Sequence, residues 1–272
     1  MPELPEVETI VRELNAALPG RTVVDVDVFR ADALGGVPVP RFRAALRGRG
    51  VVGVSRRGKF LVFALRPAGF LVGHLRMTGK FALSPPLPAP LPHHRAWFRL
   101  DDGSLLVFQD LRCFGTLAVV EALGDYAPLT ALGLEPLSPR FTARWLARAL
   151  AASRVPLKSW LMDQSKLAGL GNIYAAEILH AAGLSPLRRS DALRPEEVRR
   201  LHGATRRILR AAIRKSGTTI RDFRRVDEKT GEFQHFLRVY GKAGEPCPAC
   251  RTPIARLVQQ QRSTFYCPGC QT

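Results

Sequence analysis

The sequence predicts an α+β multidomain protein: an N-terminal antiparallel β-sandwich with a leading helix, then a helical domain, then a C-terminal zinc-bound β-hairpin. Three observations predict it. Short apolar runs of period two recur through the first 120 residues, and helical periodicity replaces them beyond about residue 131. Four cysteines then close the chain in two C-x2-C pairs.

The leading helix is read over residues 6–18, where Val7, Val11, Leu14 and Leu18 share one face against Glu8, Arg12 and Glu13. Pro5 and Glu6 suit its first turn, since proline has no N–H to leave unpaired and a carboxylate complements the helix dipole. Thr22–Val28 alternates Val24, Val26 and Val28 with Asp25 and Asp27, the period of a half-buried strand. Further strands are predicted at Val51–Val54, Phe60–Leu65, Phe70–Leu75, Ala96–Leu100, Ser104–Phe108 and Thr116–Val120, with glycine-containing turns between several of them. The five prolines within Ser84–Pro92 predict an extended surface connector.

These runs define a domain over residues 1–130, followed by a linker at 131–138. Helices are predicted over Phe141–Ala152 and Leu157–Gln164, from an Asn172 cap to Ala182 with Gly183 as the stop, and over Pro195–Lys215. The last of these is expected to bury Val198, Leu201, Thr205, Ile208, Leu209 and Ala212, and to expose a row of arginines on a solvated face. Residues 217–235 lack periodicity and predict a mobile loop. The helical domain is placed at 139–235 and the zinc module at 236–272.

Lys and Arg number 41 against 23 acids, a net charge of +18. The excess is uneven: residues 1–130 hold 16 basic and 12 acidic side chains, and residues 131–272 hold 25 and 11. A polyanionic partner is implied, because each basic contact to a phosphate releases condensed counterions. Nucleic acid is favoured over a membrane surface, since no basic helix carries bulky aromatics on its other face. No apolar run reaches the roughly 20 residues of a membrane span. The start has no secretory pattern, so a reducing cytoplasm is expected.

Cys247, Cys250, Cys267 and Cys270 have the C-x2-C-x16-C-x2-C spacing of a tetrahedral four-thiolate zinc site, closed and therefore structural. Two disulfides are the plain alternative, disfavoured by the expected compartment and the tight pairs. A second signal lies at Leu157–Leu184, where helical patterns flank Gly169–Leu170–Gly171. Backbone N–H groups at the following helix start, beside Lys158 and Lys166, form a candidate phosphate seat. An ordinary helical hairpin is the plain reading of that turn alone.

Seven motifs occur in order: PELPEVET at the start, RRGKFL at 56–61, HLRMTG at 74–79, DLRCFG at 110–115, WLMDQ at 160–164, GLGNIYAAE at 169–177, and the terminal EPCPAC with STFYCPGC. The set closely resembles the bacterial formamidopyrimidine-DNA glycosylase family across nearly the whole chain. The resemblance implies a helix-two-turn-helix element in the helical domain and one structural Zn2+. It also implies a monomer acting on double-stranded DNA with an oxidised base, in a bacterial cytoplasm at the nucleoid. The related endonuclease VIII branch prefers oxidised pyrimidines and typically opens PEGPE; Leu4 and the DxRxFG element fall on the purine side. A non-catalytic zinc protein sensing distorted duplex would share the charge and the zinc, but would give no reason for a proline–glutamate start.

The resemblance also implies roles. Loss of Met1 would leave Pro2 as a secondary-amine nucleophile at the sugar C1′, and an α-amino group titrating at about 8 is partly neutral near pH 7. Glu3 would move protons at the sugar and in the eliminations, and Glu6 would organise the site. Met77 and Phe114 would fill the gap left by an extruded base, and Arg112 would hydrogen-bond the orphaned partner. Lys59, His74, Asn172 and Arg262 would contact phosphates, Lys59 also near the lesion sugar, with the Lys158 ammonium beside them. The stretch from Ser216 to Phe223 resembles the start of the loop that covers the flipped base. Cys113, Arg76 and Leu111 depart from the family pattern, in which arginine, glycine and proline are common at these places.

Overall fold

The structure is a computed structural model describing residues 1–220 and 222–272; Arg221, inside the predicted base-covering loop, lies outside them. The chain divides into two compact units, residues 1–130 with 215–232 and residues 131–214 with 233–272.

In the first unit, helix α1 (Leu4–Ala17) leads and buries Val7, Ile10, Val11 and Leu14. Strands β1 (Val23–Val28), β2 (Gly50–Arg57), β3 (Phe60–Arg66), β4 (Phe70–His74), β5 (Gly79–Ser84), β6 (His94–Leu100), β7 (Leu105–Asp110) and β8 (Thr116–Val120) follow, with helix α2 (Val39–Leu46) after β1 and the single turn α3 (Ala127–Thr130) after β8. They pair antiparallel in two four-stranded sheets, ordered β1-β6-β7-β5 and β2-β3-β4-β8. The predicted sandwich is therefore present. Its core joins α1 to the inward rings Phe63, Phe81, Phe98 and Phe108, each such burial contributing roughly 1.5–3 kcal/mol. Phe81 lies so close to β4 that a Cβ on Gly73 would meet its ring at 3.2 Å.

Three elements escaped the pattern reading, the single turn α3 among them. Strand β5 reads as part of the turn before it, and α2 hides two buried anchors, Phe42 and Leu46, among arginines and prolines. In β1 the face also differs. A bulge between Val23 and Asp25 shifts the register, so Val23 and Val26 are buried and Val24 is exposed. The proline-rich stretch is irregular, with Leu87 packed on Trp97, Leu105 and Val107. The described residues of 217–232 carry no helix or strand, yet they are tied down. Arg225 Nε and the Val226 N–H donate to Glu13 at 2.5 and 2.8 Å, and Phe223 and Val226 enter the core.

The second unit contains α4 (Ala143–Ala151), α5 (Leu157–Met162), α6 (Asn172–Ala182), α7 (Pro195–Arg214) and a hairpin of β9 (Ala255–Gln259) and β10 (Arg262–Tyr266). α4 starts on a Thr142 side-chain cap, and α6 ends on Gly183 at φ 67°, the left-handed stop its sequence suggests. Asn172 is the first residue of α6 rather than its cap, which is Gly171. α7 packs on α6 and α4 through Val198, Leu201, Ala204, Thr205, Leu209 and Ala212; Ile208 is only half-buried. Among the described residues, no helix is long and apolar enough to cross a membrane.

Candidate functional site

The first unit gathers the residues of the chain's start. Glu3 and Glu6 are 2% and 1% exposed, and Pro2 is buried behind an exposed Met1. Glu6 explains the fixed geometry: one carboxylate oxygen accepts the Glu3 N–H at 2.8 Å and the other accepts the Thr218 N–H at 2.7 Å. One side chain thus fastens the opening residues to a segment more than two hundred positions away. The approach requires a residue without a Cβ beside it. Gly217, at φ 78°, would place a Cβ 2.8 Å from Glu6 Oε1.

Lys59 lies in the β2–β3 turn, and His74 ends β4 opposite Phe60, the rings of His74 and Phe60 meeting edge to face at 4.5 Å. His74 is buried, and its Nδ1 accepts the Arg76 N–H at 3.0 Å. Burial first, then the charges of Arg76 and Lys59, push its pKa down to about 3, so the ring is neutral at pH 7. With Nδ1 accepting, the proton sits on Nε2, which makes the ring a neutral donor suited to an anion.

Met77 and Phe114 stand out on adjacent turns, 37% and 53% exposed, with the Arg112 guanidinium 4.9 Å over the Phe114 ring. Exposed apolar side chains on tight turns are poorly explained by core packing. Asp110, the first residue of the DLRCFG motif but given no role by it, holds the turns in place. Asp110 is 1% exposed, and it accepts from the Gly115 N–H at 2.6 Å, the Arg112 N–H at 3.1 Å and the Thr78 hydroxyl. Its carboxylate spans both turns, and a Cβ on Gly115 would strike Phe108 at 2.7 Å. Asp110→Asn is expected to lower excision of an intact damaged base about tenfold, the equivalent of about 1.5 kcal/mol of one charge-assisted bond. Cleavage of a preformed abasic site should change little, and parallel single-turnover assays on the two duplexes check this.

The second unit gathers the remaining candidates. Gln164 stitches the glycine turn: its amide donates to the Met162 and Leu170 carbonyls at 2.8 and 2.7 Å, and its oxygen accepts the Gly169 N–H at 2.9 Å. Asn172 then donates to the Ser263 carbonyl at 2.9 Å, while its own Oδ1 is buried with no partner among the described residues. Lys158, expected beside the phosphate seat, is turned to other partners. It is 2% exposed and donates to the same Ser263 carbonyl at 3.2 Å and to Thr264 Oγ1 at 2.6 Å. Two acceptors on β10 draw the ammonium inward, so it braces the hairpin on which Arg262 is exposed. Glu177 adds a second brace, accepting the N–H groups of Arg238, Val239 and Tyr240 at 2.9, 3.0 and 2.9 Å. Its burial raises its pKa against the opposing pull of those three donors.

The four cysteine sulfurs lie within 4.8 Å of one another, with the Cys250–Cys267 and Cys247–Cys270 pairs at 3.3 and 3.8 Å. Tetrahedral zinc with bonds of about 2.3 Å needs sulfurs about 3.8 Å apart, so the cluster fits one Zn2+. His180 Nε2 lies 3.4 Å from Cys247 Sγ and joins α6 to the cluster, a contact the cysteine spacing does not show.

Comparison with known proteins agrees with this arrangement. Residues 1–117 match the formamidopyrimidine-DNA glycosylase N-terminal domain, residues 132–224 its H2TH domain, and residues 244–272 the zinc finger found in FPG and IleRS. The chain is 41% identical over its whole length to the formamidopyrimidine-DNA glycosylase of Chloroflexus aggregans, covering 98% of that protein, and 42% identical to that of Geobacillus kaustophilus, covering all of it. The crystal structure of the MutM (Fpg) protein of Thermus thermophilus superposes with a TM-score of 0.89 at 43% identity, covering 99% of this chain and 98% of that one. A mutant of the Lactococcus lactis FPG, solved in complex with Fapy-dG-containing DNA, gives 0.93 at 33% identity, with each chain covered completely. Matched from end to end by relatives above 40% identity, and carrying all three domains in order, the chain belongs to the formamidopyrimidine-DNA glycosylase family.

Proposed function

We propose that the protein excises oxidised purines, including 8-oxoguanine and formamidopyrimidines, from duplex DNA and then cleaves the strand at the abasic site by β,δ-elimination. The observation that carries this reading is the double grip of Glu6 on Glu3 and Thr218, which holds the opening residues as a rigid, buried site rather than a frayed end. With Met1 removed, the Pro2 nitrogen attacks the sugar C1′ as the bond to the damaged base breaks. Glu3, buried beside it, moves the protons at the sugar and in the eliminations. Lys59 and the neutral His74 donate to the phosphates flanking the lesion. Arg112, Met77 and Phe114 meet the gap left by the flipped base, and Asn172 and Arg262 meet the backbone from the second unit. Lys158 acts on DNA through the hairpin it fixes. The zinc is structural, and the protein works as a monomer in the bacterial cytoplasm at the nucleoid.

Borohydride trapping on matched duplexes bearing 8-oxoguanine, an oxidised pyrimidine or no damage tests the reading. The purine lesion should trap best, and preference for the pyrimidine would move the chain to the endonuclease VIII type. Phe114→Ala and Met77→Ala should impair excision far more than cleavage at a preformed abasic site, since extruding an intact base costs a few kcal/mol. Equal losses on both substrates would reduce these side chains to packing.

A further inference from the structure

Helix α7 carries four exposed arginines that the site does not use. The side chains of Arg199, Arg207, Arg210 and Arg214 make no hydrogen bond or ion pair to any described residue. At 3.6 residues per turn they fall within an arc of about 80°, spread over about 22 Å of helix. Gly203, exposed and with open space about it, lies mid-arc and leaves the stripe unobstructed. The one acid on the same arc, Glu196 in the first turn, is paired with Arg194 at 3.1 Å. The flanking Arg200 and Arg206 are engaged differently, donating to the carbonyls of Ala182 and Ser138 at 3.2 and 3.1 Å.

The stripe is unfavourable for the helix alone. Arg207 with Arg210, and Arg210 with Arg214, are like-charge pairs at i,i+3 and i,i+4, each destabilising by roughly 0.2–0.5 kcal/mol. The helix dipole rewards Arg214 in the last turn but not Arg199 in the second. The residues buried on α6 and α4 lie on the opposite side of α7, so the stripe faces away from α6, the helix that begins at Asn172. No large exposed apolar side chain lies on α7. A protein interface or a membrane surface would call for apolar anchors among the charges. A row of guanidinium groups without them suits phosphates, and 22 Å of one duplex strand carries about six.

We propose that the α7 stripe is a second DNA-binding surface, holding the backbone of a duplex segment other than the one in the lesion site. The contacts are to phosphates alone and therefore blind to sequence. Such a surface keeps the protein on DNA while the lesion site exchanges one segment for another. It goes beyond the repair reading and rests on it only in taking DNA as the ligand.

The test fills the lesion site with a short duplex holding an uncleavable abasic analogue, then titrates in a labelled, undamaged 30-base-pair duplex (a length of about 100 Å at 3.4 Å per step). Wild-type protein should bind the second duplex with a log–log salt slope of about −3.6, for four phosphates neutralised. The quadruple variant R199Q/R207Q/R210Q/R214Q should lose at least tenfold in that affinity while trapping a short lesion duplex as well as wild type. The corresponding quadruple lysine variant should keep most of the binding, which separates lost charge from lost folding. Equal second-duplex affinity in wild-type and glutamine proteins would overturn the proposal. So would tighter binding of poly-glutamate or of anionic phospholipid vesicles at the stripe. Failure of wild type to trap any lesion would strike the repair reading, with the second titration still deciding the stripe.

Discussion

An additional residue ahead of Pro2, or a retained Met1, is expected to abolish the borohydride-trapped DNA adduct while leaving duplex affinity within a few fold. The reason lies in the nitrogen. Acylated by a preceding residue, it shares its lone pair with a carbonyl and is planar, and it cannot attack C1′. As a free secondary amine it can form only a charged iminium with the opened sugar, which acidifies the C2′ hydrogen and drives strand cleavage. The neighbouring Glu3 is already fixed through Glu6, so a processed Pro2 starts from a defined place. Duplex affinity should persist because the residues proposed to grip the phosphates, Asn172 and Arg262 among them, are remote from the start in sequence. Peptide mapping of the trapped adduct should return residue 2. An adduct on Lys59, or trapping by a blocked start, would show that another amine does the chemistry.

Stripping zinc should remove DNA binding while the first unit keeps its melting transition. The zinc module has almost no core: Val239, Cys247, Ile254 and Cys267 gather with Ala176 of α6, and two of those five are ligands themselves. A four-thiolate site contributes on the order of 10–16 kcal/mol in zinc-finger peptides, far more than so few apolar contacts can replace. Loss of the metal frees β9 and β10, and the Ser263 carbonyl then leaves Asn172 and the buried Lys158 ammonium. Arg262 loses its bearing, and an uncompensated charge is exposed at the base of α6. Metal content, duplex affinity and thermal melting measured on one chelated sample check each link. A zinc-free sample with wild-type affinity would show that the hairpin is dispensable.

Most of the elements, and the chemistry they carry, are legible in the sequence alone. The apolar period of α1, the alternation of the strands, the Gly183 stop and the cysteine spacing are local, so each is legible within about twenty residues. The seven ordered motifs likewise contain most of the candidate residues, Lys158 and Arg262 excepted. The tertiary structure decided how those residues are held. Asp110 opens the DLRCFG motif without a role of its own there, yet it fastens the turns of Arg112 and Phe114; Lys158 is expected beside a phosphate seat, yet it is buried under the hairpin. The β1 bulge exchanged Val24 for Val23 in the core, a shift of one residue that alternation does not foresee. The segment 215–232 follows the helical region in sequence but packs with the first unit, because its N–H groups meet the carboxylates of Glu6 and Glu13. Side-chain periodicity is set by backbone geometry and is written along the chain. A directional bond between a carboxylate and an N–H more than two hundred residues apart depends on where the packed core brings them, and no local period encodes it.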